Sequence, residues 1–573
     1  MDLTSLFMKV HFYRDAEIFN GEILFISDLE GKPNLYTYRD GEFINLTRGY
    51  DRIGGYRKDT KLKVILLIHD IGGNERWRIK GIKYLDGSTE DLFEIGDGVS
   101  INIPSRINGD RGIFAYASNR RNPSLFDTYI YHLRDGEERL IFEGSPNTYP
   151  ISFSPKGDIL AVIKSSGTWE QILYFIDTED GALIDSFIHE DTHISNIEWV
   201  DNDRIYMITD YDSDSRYIAE YTIGGGIEEI WKADGEIELF KIFNDNLIYT
   251  VNISGDSKLY IGEDEISKPL GVVTHIDVDK SIVISLNTVR YGESIWILDN
   301  DKLKPLKYCN ILEEIGGYIV EPSVVRSRMS DGLYVESLIY RSRKENGYIF
   351  IPHGGPESQS RPIFNPLIQI LINRGYTVIQ PNYRGSTGYG KLFRHLDDKR
   401  RRERSLKDIV DVLYDLKSRK LIGDGPVGIL GGSYGGFATL YLITHYPDLW
   451  KAAVSVVGIS NLETFLKNTG PWRKRLRERE YGSLEEDIEF LRKISPIYYI
   501  DNIKAPLLLI HGRNDSRVPV EESIQIYNRL KELGREVDIH IFEDEGHGIT
   551  KIENRKVYIE RVLDWFTRYL RDI

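Results

Sequence analysis

The sequence predicts an all-β domain followed by an α/β domain with a doubly wound, mostly parallel sheet, and three observations support this division. The chain has 573 residues, which is too long for one compact core. Up to about residue 315, short apolar or alternating runs recur between Gly, Asn and Asp clusters. From about residue 335, strand-like runs alternate with helix-like segments. We therefore predict an N-terminal extension over 1–15, an all-β domain over 16–315 and an α/β domain over 316–573.

The all-β part carries a repeat of about 43 residues. An aromatic or β-branched strand centre followed by an acidic or Gly turn recurs along it. The seven markers, of which Trp77 fits least well, are Tyr36, Trp77, Tyr129, Tyr174, Ile218, Tyr260 and Trp296. One four-stranded propeller blade has about this length, so the repeat predicts a seven-bladed β-propeller. A pair of β-sandwiches is the alternative.

The α/β part contains six apolar strand-like runs and five helix-like segments. The predicted strands are 347–352, 376–381, 427–430, 452–457, 506–510 and 537–542. The predicted helices are 361–374, 405–420, 435–445, 521–534 and 555–571. Sheets of this kind carry their active sites at the carboxyl ends of the strands.

A Gly-rich turn over 431–436 joins the run 427–430 to a helical stretch that ends at His445. It contains the G-x-S-x-G pattern in the strand–turn–helix context that gives the pattern meaning, with Ser433 at the turn. Small residues at 431 and 435 let the strand and helix approach closely. The helix N-terminus points backbone N–H dipoles at a developing oxyanion. We therefore predict Ser433 as a nucleophile rather than part of a plain connecting turn.

Two loops after later strands supply an acid and a base. A serine nucleophile needs a general base, and the base needs an orienting acid. In this architecture the chain order is Ser, then Asp or Glu, then His. Asp515 follows the run 506–510, and the Gly-flanked His547 follows the run 537–542, so we predict these two residues. Their positions make four rivals less suitable, and these are Asp501, His511, His540 and Asp544.

Backbone N–H groups are the predicted oxyanion donors. One belongs to Tyr434, the residue after the nucleophile, and the second comes from a loop after an earlier strand. The run 347–352 leads into His353 and a Gly pair, which can expose an N–H without a side chain in the way. We assign the second donor to Gly355, with a simple turn as the alternative.

One motif is rejected. His189 and His193 match the H-E-x-x-H pattern, which binds zinc when both histidines share one face of a helix. Here the pattern lies between two strand-like runs, so we predict a loop and no metal site. The chemistry proposed for Ser433 requires no cofactor.

Composition and charge limit the partners. The net charge is −16 and the pI is about 5.4, which argues against nucleic acid or an anionic membrane as the main partner. The single cysteine, Cys309, fits a reducing compartment. The chain start lacks the features of a secretory signal, and no run approaches the roughly 18 apolar residues of a membrane span. We expect a cytoplasmic protein. An exposed strand edge in the second domain could support self-association.

At these residues the sequence resembles the prolyl oligopeptidase family of serine peptidases, most closely its acylaminoacyl-peptidase branch. The segments that carry the resemblance are 353–356, 381–390, 431–436, 511–519 and 545–548. The resemblance implies a seven-bladed propeller that caps an α/β-hydrolase domain and admits only short peptides. It implies a serine peptidase that releases N-acylated amino acids from blocked peptides, and an esterase activity is a further expectation. It also implies that Arg517, two residues after Asp515, holds the substrate carbonyl that precedes the cleavage-side residue.

The cleavage-side pocket departs from the branch. An aromatic residue often follows the segment that matches 353–356, but here the residue is Glu357. In the helical stretch 470–476, Trp472 is expected to line the pocket. Glu357 and Arg475 make the pocket more polar, either by pairing with each other or by selecting a charged substrate group. A solvated helix face is the alternative for the basic run.

Two other functions stay open at this point. A dipeptidyl or prolyl-type peptidase would act on free N-termini, and dipeptidyl enzymes need a carboxylate pair that captures the terminal amine. The sequence offers two Glu-Glu pairs, at 137–138 and 228–229. A binding module with an inactive hydrolase domain is the third reading, against which the complete set of Ser433, Asp515 and His547 argues.

Overall fold

Seven antiparallel four-stranded sheets follow one another along the first half of the chain. A computed structural model describes residues 3–39, 41–244 and 246–570. Each sheet is built from four consecutive strands, which confirms the predicted seven-bladed propeller. The strands, blade by blade, are Tyr13–Phe19, Glu22–Ser27, Asn34–Arg39 and Glu42–Asn45; Arg52–Asp59, Val64–Asp70, Arg78–Leu85 and Ser88–Ile95; Asn102–Asn108, Ile113–Ser118, Asp127–His132 and Glu138–Phe142; Thr148–Phe153, Ile159–Ser165, Gln171–Asp177 and Leu183–Phe187; Ile194–Trp199, Arg204–Thr209, Tyr217–Thr222 and Gly226–Trp231; Glu236–Phe243, Asn246–Ile253, Asp256–Ile261 and Asp264–Ile266; and Gly271–Val278, Ile282–Thr288, Gly292–Asp299 and Lys302–Lys307.

The repeat markers have a common structural position. Six of the seven lie on the third strand of their blade, and Trp77, the weakest marker, lies directly before the third strand of blade 2. Apolar clusters fill the spaces between successive blades. The ring closes between the first and last blades, where the N–H of Ala16 donates to Ser285 Oγ at 2.9 Å and the N–H of Ile18 to Asp277 Oδ2 at 2.7 Å.

The second half of the chain forms an eight-stranded sheet within the described residues. In spatial order its strands are Ser323–Arg328, Tyr334–Tyr340, Tyr376–Asn382, Gly347–Phe350, Val427–Gly432, Ala452–Val456, Leu507–Gly512 and Val537–Phe542. The last six are parallel to one another and correspond to the six predicted strands. The first two pair antiparallel and were not predicted. Self-association through an edge strand stays a prediction.

Helices cover both faces of this sheet, and large apolar clusters lie between them and the strands. The longer helices are Pro366–Asn373, Arg402–Ser418, Tyr434–His445, Pro471–Tyr481, Glu521–Glu532 and Ile552–Tyr569. The shorter ones, including single 3-10 turns, are Leu3–Phe7, Ile311–Glu314, Gly316–Tyr318, Lys391–Arg394, His395–Asp397, Lys399–Arg401, Leu462–Asn468, Ile488–Lys493 and Pro496–Asn502. Within the described ranges, no helix has both the length and the apolar character that crossing a bilayer requires.

The predicted domain limits stay predictions. The strand Tyr13–Phe19 of blade 1 crosses the predicted limit at residue 16, while the last blade ends at Lys307. Helix Leu3–Phe7 packs against the α/β domain, where Phe7 meets Leu367 and Ile368 in one apolar cluster. Residues 1–2 and 571–573, at the outer limits of the predicted division, lie outside the described residues.

Candidate active site

The turn between strand Val427–Gly432 and helix Tyr434–His445 holds Ser433 in a strained conformation. Its φ is 57° and its ψ is −119°, a backbone conformation that residues other than glycine rarely adopt. The turn is tight, because a Cβ placed on Gly431 would lie 2.0 Å from the carbonyl oxygen of Gly435. Glycine at 431 therefore lets the strand and helix approach as predicted, and the turn presents the Ser433 hydroxyl at the carboxyl end of the sheet.

Ser433, His547 and Asp515 form one chain of hydrogen bonds. His547 Nε2 lies 3.0 Å from Ser433 Oγ, and His547 Nδ1 lies 2.8 Å from Asp515 Oδ2. An ionised carboxylate only accepts hydrogen bonds, so the imidazole proton resides on Nδ1 and Nε2 is free to accept from the serine hydroxyl. The structure thus brings together three side chains that lie on separate loops of the sequence.

Asp515 is held ionised by its surroundings. Its Oδ1 accepts the backbone N–H groups of Arg517 at 2.8 Å and Val518 at 2.9 Å. Burial alone would raise the pKa of Asp515, but the nearby His547 and the hydrogen bonds from His511 and His547 hold that pKa well below its usual range. His511 itself bonds to Ser523 Oγ and the Val518 carbonyl, which agrees with the turn-stabilising role expected for this rival.

The base is held by a buried carboxylate that sequence reasoning missed. Glu545, two residues before His547, is fully buried. Its side chain accepts the backbone N–H groups of Thr550 at 3.1 Å and Lys551 at 2.9 Å and the amide of Asn554 at 3.0 Å. These bonds fix both ends of the loop that carries the imidazole.

Two backbone groups flank the nucleophile. Tyr434 is the first residue of its helix, so its N–H has no acceptor within the helix. The Gly354–Gly355 turn lies beside Ser433, since a Cβ on Gly354 would be 3.5 Å from the Ser433 Cβ. Burial lowers the pKa of His353, which precedes this turn, to about 4, so its ring is neutral. Both predicted oxyanion donors therefore lie next to the nucleophile, although their role stays a prediction.

A loop of the propeller contacts the loop that follows strand Leu507–Gly512 and carries Asp515. We call this second loop the acid loop. Residues 71–77, which we call the blade-2 loop, connect the second and third strands of blade 2. Glu75 of this loop accepts Arg517 Nε at 2.9 Å and Ser516 Oγ at 2.9 Å. The Arg517 guanidinium, predicted to hold a substrate carbonyl, is thus paired with a propeller carboxylate. No local sequence pattern marks Glu75, because its partners are more than 400 residues away.

The backbone of the blade-2 loop also contacts the acid loop and the loop that follows strand Val537–Phe542. That last loop carries His547, and we call it the base loop. A Cβ on Gly73, whose φ is 70°, would lie 2.6 Å from the backbone nitrogen of Gly546. Asn514 Nδ2 donates to the Gly72 carbonyl at 2.9 Å. The Ser433–His547–Asp515 chain therefore lies at the domain interface, with the propeller packed directly on two of its three loops.

Trp472 is placed differently from the prediction. Its ring joins an apolar cluster with the propeller residues Ile101, Ala117 and Phe126, and the Arg76 guanidinium lies 5.3 Å from the ring centre. The expectation that Trp472 lines a substrate pocket is therefore not supported. The physical reason is that helix Pro471–Tyr481 lies between the domains, so an aromatic residue in its first turn is buried against the propeller.

The predicted pairing of Glu357 with Arg475 is wrong. Arg475 is exposed and lines a separate cleft of about 410 Å³ with propeller residues such as Glu170 and Asp191. Glu357 is near Arg477 instead, whose guanidinium donates to Thr168 Oγ1 at 2.8 Å and to the Gly355 carbonyl at 3.4 Å. Positions 473, 477 and 480 share the inward face at helical spacing, and 475 falls outside it. That period groups Arg473 with Arg477 and apart from Arg475.

Glu357 is largely buried without a matched cation. Burial raises its pKa to about 8, and the neighbouring Glu480 adds to the effect, against hydrogen bonding from Thr168 and the charges of Arg477 and Arg394. Glu480 is bonded to Arg402, a fully buried arginine that also pairs with Asp397 at 2.9 Å. This side of the domain interface, which we call the wall, is therefore rich in charged side chains; they are those of Glu357, Arg473, Arg477 and Glu480.

The features invoked by the other readings lie away from the nucleophile. Glu138 and both residues of the pair 228–229 lie on the fourth strands of blades 3 and 5, which are the strands farthest from the propeller axis. His189 and His193 lie between the strands Leu183–Phe187 and Ile194–Trp199, which confirms the predicted loop.

Comparisons with known proteins agree with this arrangement. Residues 362–572 match the model of the prolyl oligopeptidase family. The dipeptidyl aminopeptidase BIII of Pseudoxanthomonas mexicana is 35% identical over 215 residues, which cover 37% of this chain and 31% of that protein. Acylamino-acid-releasing enzyme 1 of Oryza sativa is 29% identical over 233 residues, 39% of this chain and 30% of the relative. The matches thus span about a third of the length of these relatives.

The whole fold also has a known counterpart. The acylaminoacyl peptidase of Pyrococcus horikoshii superposes with a TM-score of 0.78 at 21% identity, covering all of this chain and 98% of that one. This likeness extends to the propeller, which the family model does not include. By sequence, residues 362–572 are thus similar to the prolyl oligopeptidase family of peptidases, and the whole chain shares the fold of an acylaminoacyl peptidase.

Proposed function

We propose that the protein is a serine peptidase that cleaves short, N-terminally blocked peptides through an acyl-enzyme and releases N-acylated amino acids. The unbroken hydrogen-bond chain from Ser433 through His547 to Asp515 is the observation that supports it most. Esters with a good leaving group would be hydrolysed by the same route. A cytoplasmic location, expected from the single cysteine, is part of the proposal.

The proposed mechanism uses the observed geometry directly. Ser433 Oγ attacks the substrate carbonyl carbon while His547 Nε2 accepts the hydroxyl proton, and Asp515 stabilises the imidazolium. The N–H groups of Tyr434 and Gly355 bind the oxyanion, and each such donor contributes about 3 kcal/mol to transition-state stabilisation. When the C–N bond breaks, the imidazolium proton moves to the leaving amine. A water molecule then attacks the acyl-enzyme by the same steps and regenerates Ser433.

The remainder of the site supports short substrates. The blade-2 loop packs on the acid and base loops, so the propeller covers the nucleophile. Arg517, held by Glu75, would donate to the carbonyl that precedes the cleavage-side residue.

Action on free N-termini is the second candidate function, favoured by the 35% identity with a dipeptidyl aminopeptidase. Glu75 of the blade-2 loop is the propeller carboxylate that contacts the acid loop, but Arg517 and Ser516 already bond to it. A free amine would compete with Arg517 for that carboxylate. We therefore rank blocked peptides first.

The test uses p-nitroanilides and an intact peptide library with blocked and free N-termini side by side. We expect turnover of blocked substrates, a fluorophosphonate label on Ser433 and a loss of at least about a thousandfold in kcat/KM for Ser433→Ala. Ser418→Ala, at an exposed helix end, should match the parent protein. Wild-type turnover by Ser433→Ala would contradict the serine mechanism, and turnover restricted to free N-termini would favour the second candidate.

A further inference from the structure

One arginine beside the reacting residues has no counter-charge. Arg473 lies in the first turn of helix Pro471–Tyr481, one turn before Arg477, and faces the interior. Among the residues that the structure describes, its side chain has no ion pair and no hydrogen bond, and its buried Nε is without a partner. Arg475, between the two, points outward and is exposed.

The charges around Arg473 do not compensate it. Burial lowers the pKa of Arg473 to about 10, and the charges of Arg477 and Arg517 add to this, opposed by Glu75 and Asp515. Both acids are already committed: Glu75 bonds to Arg517, and Asp515 bonds to His547 and two backbone N–H groups. Arg473 is half-buried, and a partly desolvated guanidinium without a counter-ion is costly, which indicates that a ligand supplies the missing charge.

A polar cavity with charged side chains lies on the propeller axis. A cavity of about 550 Å³ is lined by the first strand of every blade. The ionisable lining residues are the bases Arg57, Lys58, Arg106 and Lys241, the acids Glu17 and Asp277, and His275. Glu198 pairs with two of the bases, Arg106 and Lys241. Lys58 pairs with Glu17 and Asp277, and the charge of Asp15 also acts on Arg57, so the four bases are balanced by four acids.

The axial cavity and Arg473 meet at Tyr149. Tyr149, on the strand Thr148–Phe153, lines the cavity. Tyr149 also packs against the apolar cluster that contains Trp472, the residue before Arg473, and the charge of Arg473 opposes the rise that burial causes in the pKa of the phenol. The polar axial cavity therefore approaches the helix that carries Arg473, whose unpaired positive charge would attract anions.

We propose that Arg473 binds a carboxylate carried by the acyl portion of the substrate, so that the enzyme prefers acidic acyl groups. Arg477 contacts the Gly355 carbonyl and therefore lies beside the predicted oxyanion donor, and Arg517 lies on the acid loop. Arg473 lies one turn before Arg477 on the same helix, and its charge acts on Arg517 and Asp515, so we place its guanidinium near the side chain of the residue whose carbonyl is attacked. The inference rests on the proposed function and names its substrate class.

The test compares matched pairs of substrates. N-acetylglutamyl and N-acetylglutaminyl p-nitroanilides differ only in the acid group, and their leaving group carries no carboxylate. We expect kcat/KM to favour the acid by at least about tenfold at low salt, because charge-assisted bonds to a half-buried guanidinium are strong. The preference should shrink as salt is added. N-succinylalanyl and N-acetylalanyl p-nitroanilides form a second pair, which places the acid one position earlier.

Variants separate Arg473 from its surroundings. Arg473→Met should reduce the acid preference to about one, Arg473→Lys should keep part of it, and Arg475→Met is the matched control that keeps all of it. Inhibition by N-acetylglutamate amide relative to N-acetylglutamine amide gives the same comparison without turnover, and serves if Arg473→Met fails to fold.

The proposal is overturned if neither pair favours the acid, or if Arg473→Met leaves the preference unchanged. It is also overturned if the effect appears only with peptides that carry a free C-terminal carboxylate in the leaving group. Each of these results would leave turnover of neutral blocked substrates and the Ser433 label intact. Failure of the proposed function, by contrast, would remove both.

Discussion

The reacting residues and the wall differ in how their charged side chains are compensated. Asp515 has every oxygen occupied, by His547 and by two backbone N–H groups. On the wall, Arg473 has no partner among the described residues and Glu357 no matched cation. This difference indicates that Ser433, His547 and Asp515 are assembled before substrate arrives. In our proposal, the substrate supplies the charge that the wall lacks.

The largest expected effect tests the assembled side of this comparison. Asp515→Asn should lower kcat by about 10⁴, because an amide at this position no longer fixes the Nδ1–H tautomer of His547. The thermal stability should change far less than the rate. Asp544→Asn is the matched control, since Asp544 lies on the base loop but is exposed and bonds to Lys551. Steady-state kinetics on an acetylated p-nitroanilide measure both variants.

Equal losses for the two variants would contradict the assignment of the acid. They would indicate that any loss of charge near His547 is damaging. A loss confined to Asp515→Asn would instead separate it from the rival Asp544.

The second prediction asks whether this assembly depends on the propeller. Gly73→Ala should lower kcat/KM by roughly ten- to a hundredfold, because the new Cβ would lie 2.6 Å from the Gly546 nitrogen and displace the base loop. Gly112→Ala is the control: Gly112 has a similar φ of 63° but nothing within 4 Å of its Cβ position. Both variants carry the same backbone strain, so only the contact with the base loop differs.

Equal activity of the two glycine variants would contradict the prediction that the propeller holds the base loop in position. It would mean that the base loop is held by its own contacts, such as those of Glu545, without help from the propeller.

The sequence was most informative where function depends on short, contiguous patterns. Ser433 was found from a strand, a turn and a helix, and Asp515 and His547 from the ends of later strands. The propeller was found because its third strands repeat an aromatic or β-branched centre. In each case, a local preference and the fold require the same residues.

The wall residues were harder because their environment comes from distant parts of the chain. Trp472 was expected in a pocket, but the propeller covers it with Ile101 and Phe126. Glu75 reaches Arg517 across more than 400 residues, a contact that no spacing rule encodes. Arg475 was a different kind of error, since the helical period places it on a different face from Arg473 and Arg477 but does not say which face lies inward. Such a choice needs the orientation of the helix as well as its existence.

The smallest expected effect concerns Glu357 on the wall, and it is measured as a change in thermal stability with pH. The pKa of Glu357 is raised from an ordinary 4.5 to about 8 by burial and by Glu480. Between these pH values the unfolded chain loses the proton while the folded protein keeps it, so stability falls as the pH rises through this window. Glu357→Gln mimics the protonated side chain and removes that loss.

The melting temperature of Glu357→Gln should therefore equal that of the parent below about pH 4 and exceed it by several degrees at pH 8, and the gap should become constant above about pH 9. Glu485→Gln is the control, because Glu485 is exposed and its substitution leaves no such gap at any pH. A gap that does not vary with pH would mean that Glu357 is ionised throughout the window and already has a counter-charge. In that case the wall would match the charge-paired arrangement around Ser433, and the contrast between the two regions would rest on Arg473 alone.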